Sequence, residues 1–270
     1  MKIIKTFLFG IKEGLINFDL TLYIWFTSFV FSLVAYIPVS SFFYEKVGKI
    51  ADTEIFARHP DFLQLLFHSN PAFPLLLNVL FFLLILYFMT MLFIETGVLN
   101  RLVNRESFKE GKYFYWKFLK VEILLGITLL ISGGFLWLLF KITDKIFPLF
   151  KERAFFFGKL GAFLIWIILV LLLLLALDFA KIEVVSRRKG AFKSFLKGIS
   201  FAFRNWFILL ILYLLVFLFW FFPSLGIKFI SSLVKIPLIS FLIMQGAFLL
   251  RSFAKVLLFA GEISLYFFKD

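Results

Sequence analysis

Three residues near the end of the chain have the types and spacing to do chemistry together: Arg251, Lys255 and Glu262. Separations of 4 and 7 residues place them within about 40° of arc on a helix turning 100° per residue, with Ser240 and Met244 on the same stripe. Further back, Asp178 and Lys181 stand three apart with Glu183 just beyond, and Glu95 closes an earlier apolar run. Ionisable groups among apolar neighbours are costly, and such a cluster has two open readings. It can bind a charged substrate or move protons, or its long side chains can snorkel to an interface and pair there for packing and topology. For Arg251 the expected partner is Asp178, which lies at a similar count of residues into its own apolar run, with Glu95 as second choice.

Other chemistry has less to run on. The chain has no cysteine, which removes thiol catalysis, disulfides and thiolate metal sites. His59 and His68 flank Asp61, but two histidines nine residues apart read better as a solvated helix face than as a metal site. Around them, Asp52 to His68 reads as a short amphipathic helix with Leu63, Leu66 and Phe67 on one side. The zinc-protease pattern H-E-x-x-H, the nucleophile elbow G-x-S-x-G and a phosphate-cradling glycine loop are all missing from the sequence. The expectation is a protein that is not an enzyme and uses no metal or other cofactor.

What positions the ionisable residues follows from composition. Of 270 residues 63% are hydrophobic, 44 are Phe and only 17% are charged, with mean hydropathy +1.03. Ordinary soluble domains reach about 45 to 50% apolar with glycine included, so the chain reads as an all-α polytopic membrane protein. Uncharged runs supply five spans: Leu20 to Tyr44, Ser69 to Ile94, Ile123 to Phe140, Leu160 to Leu177 and Asn205 to Ile227. Each meets the roughly 17 to 25 residues that cross the hydrocarbon. The sixth run, Ile236 to Leu250, has 15 residues, about 22 Å at 1.5 Å each. It must continue past Arg251 to cross. A helix from Pro237 toward Phe268 is long enough, with proline in the tolerated first turn.

The formal charge of +13 would suggest nucleic acid for a soluble protein, but the basic residues fall between spans. They read as topology signals and contacts to anionic headgroups, with no nucleic-acid partner. Counting Lys and Arg, 19 of 29 lie on the side of the termini, so both termini are expected in the cytoplasm. The basic start, followed by a short apolar patch and then Lys12 and Glu13, does not read as a cleaved signal.

A repeat organises the rest. Ile11-Lys12-Glu13-Gly14 recurs as Phe108-Lys109-Glu110-Gly111, and more loosely as Phe195-Leu196-Lys197-Gly198. Each copy opens a unit made of a basic amphipathic segment and two spans, and Glu95 and Glu183 each stand 14 residues before the next unit's lysine. The reading is a single transmembrane domain, 1–270, with three hairpin units of about 1–100, 101–186 and 187–270. On a helical wheel, Ile4, Phe7, Leu8, Ile11 and Leu15 form one apolar stripe, and Phe192, Phe195, Leu196, Ile199 and Phe203 another. The middle segment, Tyr113 to Leu119, is mainly aromatic. These segments read either as cytoplasmic elbows facing lipid, with Lys5, Lys12, Lys109, Lys112, Lys193, Lys197 and Arg204 as headgroup contacts, or as loop helices packed on their own bundle. Gly133, Gly134 and Gly246 interrupt spans and read as small-residue helix contacts.

The stretches Gly111-Lys112-Tyr113-Phe114-Tyr115-Trp116-Lys117, Asp178-Phe179-Ala180-Lys181-Ile182 and Ala260-Gly261-Glu262-Ile263-Ser264-Leu265-Tyr266 resemble those of uncharacterised six-helix bacterial membrane proteins. That family is similar in layout to the membrane domain attached to some glycerophosphodiester phosphodiesterases. The resemblance implies a bacterial inner membrane and brings no catalytic residues. The functional expectation is a non-enzymatic scaffold or accessory subunit with lipid and protein partners; the alternative is a transporter or channel for a lipid or small solute.

Overall fold

The computed structural model describes residues 2–46, 72–146, 152–234 and 236–267. His59, Asp61, His68 and the short helix expected around them lie outside these residues. The described elements are helices α1 (Lys2–Ile16), α2 (Phe18–Lys46), α3 (Ala72–Asn104), a 3-10 segment (Phe108–Phe114), α4 (Tyr115–Ile146), α5 (Glu152–Arg187), α6 (Ala191–Leu233) and α7 (Pro237–Phe267), with no strand among them. Six stretches, one in each of α2 to α7, are long and apolar enough to cross a membrane. The layout is therefore that of an all-α polytopic membrane protein. The sixth span does continue through Arg251, ending at Phe267.

By contacts the chain forms two units, Leu22–Ile94 and the remainder, Met1–Thr21 with Glu95–Asp270. In the first, α2 and α3 run side by side. Phe73 and Leu76 are buried with Val39 and Leu80 packed on them, Ser28 Oγ meets the Tyr87 hydroxyl at 3.2 Å, and Phe31 stands edge-on to Tyr87.

In the second unit α4 and α5 are antiparallel, tied at one end by Asp144 and Lys159 at 2.8 Å and at the other by Lys117 Nζ donating to the Arg188 carbonyl at 2.9 Å. Helices α6 and α7 are antiparallel too, from the Ser231 and Ser240 hydroxyls 2.7 Å apart through Phe219 and Phe253 to Leu212 against Gly261. Helix α1 also lies along α7, antiparallel to it, with Thr6 near Gly261, Gly10 against Leu257 and Gly14 against Phe253, and it touches α6 through Phe7 and Phe219.

Asparagines mark two bends. The Asn205 backbone leaves helical geometry at φ −120°, ψ 17°, and its side-chain amide donates to the Phe201 carbonyl at 2.8 Å. A side chain thus serves the i−4 carbonyl where the backbone ladder breaks. At the junction of α1 and α2, the Asn17 amide donates likewise to the Glu13 carbonyl at 3.0 Å.

The segments before each pair of spans share one arrangement of faces. In α1 the small and polar residues Thr6, Gly10, Glu13, Gly14 and Asn17 are buried, while Ile4, Leu8 and Leu15 of the apolar stripe are exposed. In the first part of α6, Ala191, Ser194, Phe195, Gly198 and Ala202 face inward and Phe192, Leu196 and Phe203 outward. Gly111 and Phe114 are buried while Tyr113 and Trp116 are exposed.

The close-packed glycines are therefore not the expected ones. A Cβ on Gly133 or Gly134 would meet nothing within 4 Å, and on Gly246 only Ile227 at 3.8 Å. By contrast, one on Gly10 would stand 2.6 Å from the Leu257 carbonyl, one on Gly111 2.5 Å from the Gly97 backbone, and one on Gly198 would collide with the Ala176 carbonyl and Ala180. The sequence pattern pointed to mid-span glycines, but backbone contact occurs at Gly10 and at the motif glycines Gly111 and Gly198, while the motif glycine Gly14 meets the Phe253 ring. Gly198→Ala is expected to lower stability in detergent by about 1 to 3 kcal/mol through overpacking, whereas Gly133→Ala should raise it by about 0.5 to 1 kcal/mol through helix propensity. Equal shifts in the unfolding midpoint would contradict the packing.

Candidate functional site

The ionisable residues of the spans in the second unit gather into three groups, each held by more than one helix. In the first, Glu95 at the end of α3 is bracketed by two ammonium groups: Lys181 of α5 bonds its Oε2 at 2.6 Å and Lys255 of α7 bonds its Oε1. Lys181 also pairs with Glu122 of α4 at 2.6 Å and sits 5.9 Å from the Phe118 ring centre. Only 3% of the Lys181 side chain is exposed. Two cations and two carboxylates thus neutralise one another across four helices, the one arrangement that makes charge tolerable at low dielectric.

The second group joins Asp178 of α5, Tyr213 of α6 and Glu262 of α7. The Tyr213 hydroxyl lies 2.6 Å from Asp178 Oδ2 and 2.6 Å from Glu262 Oε1. Glu262 is fully buried, and its Oε2 has no hydrogen-bond partner among the described residues.

The third group surrounds Glu183, also fully buried, with Arg187 at 3.3 Å, Lys189 at 3.1 Å, Lys197 at 3.1 Å and the hydroxyl of Tyr266. Lys189 lies between spans, and Lys197 beside it pushes it below the usual lysine range against the pull of Glu183. Nearby aromatic packing fixes the frame: Phe179 meets Phe201 with ring centres 4.4 Å apart, and Phe201 meets Tyr266 at 5.3 Å.

Between spans, Arg105 makes a bidentate pair with Glu13, at 2.8 and 2.9 Å, and this bonding holds the guanidinium above its ordinary value. The pair lines a cleft of about 250 Å³ with Phe9, Leu102, Ile263 and Phe267 among its walls. A second cleft of about 270 Å³ is lined by Glu106, Glu110, Tyr113, Phe114, Lys117 and Arg188.

No family model, curated protein or solved structure matches the chain. The site must therefore be judged on its own geometry.

Of the seven residues singled out in the spans, Glu95, Lys181 and Lys255 meet in one group, Asp178 and Glu262 in another, and Glu183 stands in the third. Arg251 stands apart. It is exposed and pairs with neither Asp178, which is bonded to Tyr213, nor Glu95, which Lys181 and Lys255 occupy. The expected pairing fails on depth: Asp178 lies level with Glu262, which is 11 residues beyond Arg251, or about 16 Å along the helix. Among the residues expected at headgroups, Lys5, Lys12, Lys109, Lys112, Lys193 and Arg204 are exposed, and Lys112 rides over the Tyr113 ring. Lys197 is half-exposed and shared with Glu183.

Five members were not singled out from sequence as site residues: Glu122, Tyr213, and around Glu183 also Arg187, Lys189 and Tyr266. Glu122 borders the third uncharged run, one residue before Ile123, and Tyr213 is the lone hydroxyl in the apolar stretch Trp206 to Phe222. Replacing Lys181 by Met would strand Glu122 and half of Glu95, so unfolding in detergent should show a loss of about 3 to 5 kcal/mol. Arg251→Ala, at an exposed position, should cost less than about 0.5 kcal/mol, and the reverse ranking would refute the network.

Proposed function

We propose that this chain works in a bacterial inner membrane as a non-enzymatic scaffold or accessory subunit, with both termini cytoplasmic. One observation carries the reading: Glu95, Glu122, Lys181 and Lys255 satisfy one another, so the charges of the spans fasten helices together instead of lining an open polar path. The excess of Lys and Arg on the side of the termini supports the orientation.

The segments before each span pair are interfacial elbows in this reading. Support comes from their inverted faces, with small residues toward the protein and Phe, Tyr, Trp and Lys side chains outward, the composition suited to headgroup depth. Anionic lipids would be met by Lys5, Lys12, Lys109, Lys112, Lys193, Lys197 and Arg204, and a protein partner within the membrane would be held by the spans. The threefold hairpin repeat fits this layout, because Gly14, Gly111 and Gly198 of its three motif copies each lie against another helix. The resemblance to six-helix bacterial membrane proteins is part of the same proposal.

The Asp178, Tyr213 and Glu262 group favours a second reading, a transporter for a lipid or small solute, because it leaves a buried carboxyl oxygen unused. Mass spectrometry of what copurifies in mild detergent separates the two: a stoichiometric protein is expected for the scaffold, and a retained lipid or solute without one would favour transport. Orientation has its own check, since the chain has no cysteine. Ser107→Cys and Ser232→Cys both place a thiol at exposed positions. An impermeant maleimide should label Ser232→Cys in intact cells and Ser107→Cys only after the membrane is opened; the opposite pattern would invert the topology.

A further inference from the structure

The oxygens around Tyr213 make more hydrogen bonds than one phenol has protons. Its hydroxyl lies 2.6 Å from a carboxyl oxygen on each side, and both separations are those of O–H···O bonds. Tyrosine can donate only once. If Asp178 and Glu262 were both ionised, one contact would set lone pair against lone pair, so the second proton has to come from a carboxyl group.

Burial decides which carboxyl carries it. Glu262 is fully buried and its Oε2 has no partner among the described residues. An unpaired carbonyl oxygen is a modest penalty there, whereas half of an ionised carboxylate is a large one. Asp178 has Lys181 one helical turn away on α5 and Lys255 within electrostatic reach, and so is better able to hold charge. Neither carboxyl group has a cation paired directly with it among the described residues. Lys181 and Lys255 are the positive neighbours and Glu95 the further negative one, yet both lysines are bonded to Glu95 and Lys181 to Glu122 as well. Helix α1, packed on α7 and α6, exposes Lys5 and Lys12 and commits Glu13 to Arg105.

We infer that Asp178, Tyr213 and Glu262 form a proton-binding site within the spans, in which Glu262 holds the bound proton and donates to Tyr213 while Tyr213 donates to Asp178. Release is balanced along the same line. Tyr213 passes its proton to Asp178, Glu262 re-protonates Tyr213, and Asp178 yields one proton to water. Two carboxylates then face each other across a phenol with no cation between them, so α5 and α7 repel. The site ties the packing of α5, α6 and α7 to proton availability whether the chain is a scaffold or a transporter.

Infrared spectroscopy of the full chain in lipid nanodiscs tests this. At neutral pH the wild type should show the carbonyl band of one buried protonated carboxyl group per chain, moving in heavy water and vanishing as the pH is raised. Glu262→Gln should abolish the band, and Tyr213→Phe should shift it by removing its hydrogen bond. Absence of the band in the wild type at neutral pH overturns the proposal, as does its persistence in Glu262→Gln. Should Glu262→Gln fail to fold, a wild-type band that Tyr213→Phe leaves unmoved is equally decisive against it.

Discussion

Low dielectric allows a charge inside the spans only where an opposite charge reaches it, and Glu95 between Lys181 and Lys255 is how that requirement is met. The consequence runs through the second unit. Once Lys181 is committed to Glu95 and Glu122, the ends of α3, α4, α5 and α7 are fixed at one depth and in one rotation. The Tyr213 group then lies one turn away on the same side of α5, since Asp178 precedes Lys181 by three residues, and it shares that lysine's field without a direct ion pair. The polar contacts of one group thus set the electrostatic character of its neighbour, neutral by ion pairing in the first and held to a single negative charge by the proton inferred on Glu262 in the second.

Packing of the flanking segments follows another constraint. Helices in lipid gain little from burying large apolar side chains against one another and more from close backbone approach. Gly10, Gly111 and Gly198 serve that approach, which turns Phe192, Leu196, Tyr113 and Trp116 outward. In a water-soluble helix the same stripe would mark the protein core. Here most of the hydrophobic stripe faces away, with Phe195 and Phe7 as exceptions, and small residues make the closest contacts.

The spans were legible in sequence because hydrocarbon thickness dictates length, and even the sixth, interrupted by Arg251, could be placed from Pro237 onward. Glu95, Lys181 and Lys255 could be suspected from charge alone, but their meeting could not. Depth in one helix relative to another is set by tilt and by where each helix begins, so counting residues from the edge of an uncharged run placed Asp178 beside Arg251 instead of Glu262. Glu122 escaped notice at the border of a run, where a snorkelling carboxylate and a buried one look alike. Tyr213 carries no formal charge. The side-chain amides of Asn17 and Asn205 that reach the i−4 carbonyl left no periodic trace, since such a bond leaves the apolar pattern intact.

Helix α1 packs along α7, which is made long after it. Almost the whole chain separates Gly10 from the Leu257 carbonyl it touches, and synthesis at roughly 5 to 20 residues per second takes on the order of ten seconds to a minute to cover that distance. Throughout that interval the Thr6, Gly10 and Gly14 face has no α7 to close on, while Ile4, Leu8 and Leu15 already point outward. Ile4, Leu8 and Leu15 stay exposed in the finished fold, and the contact of α1 with α7 forms only once these two distant segments meet.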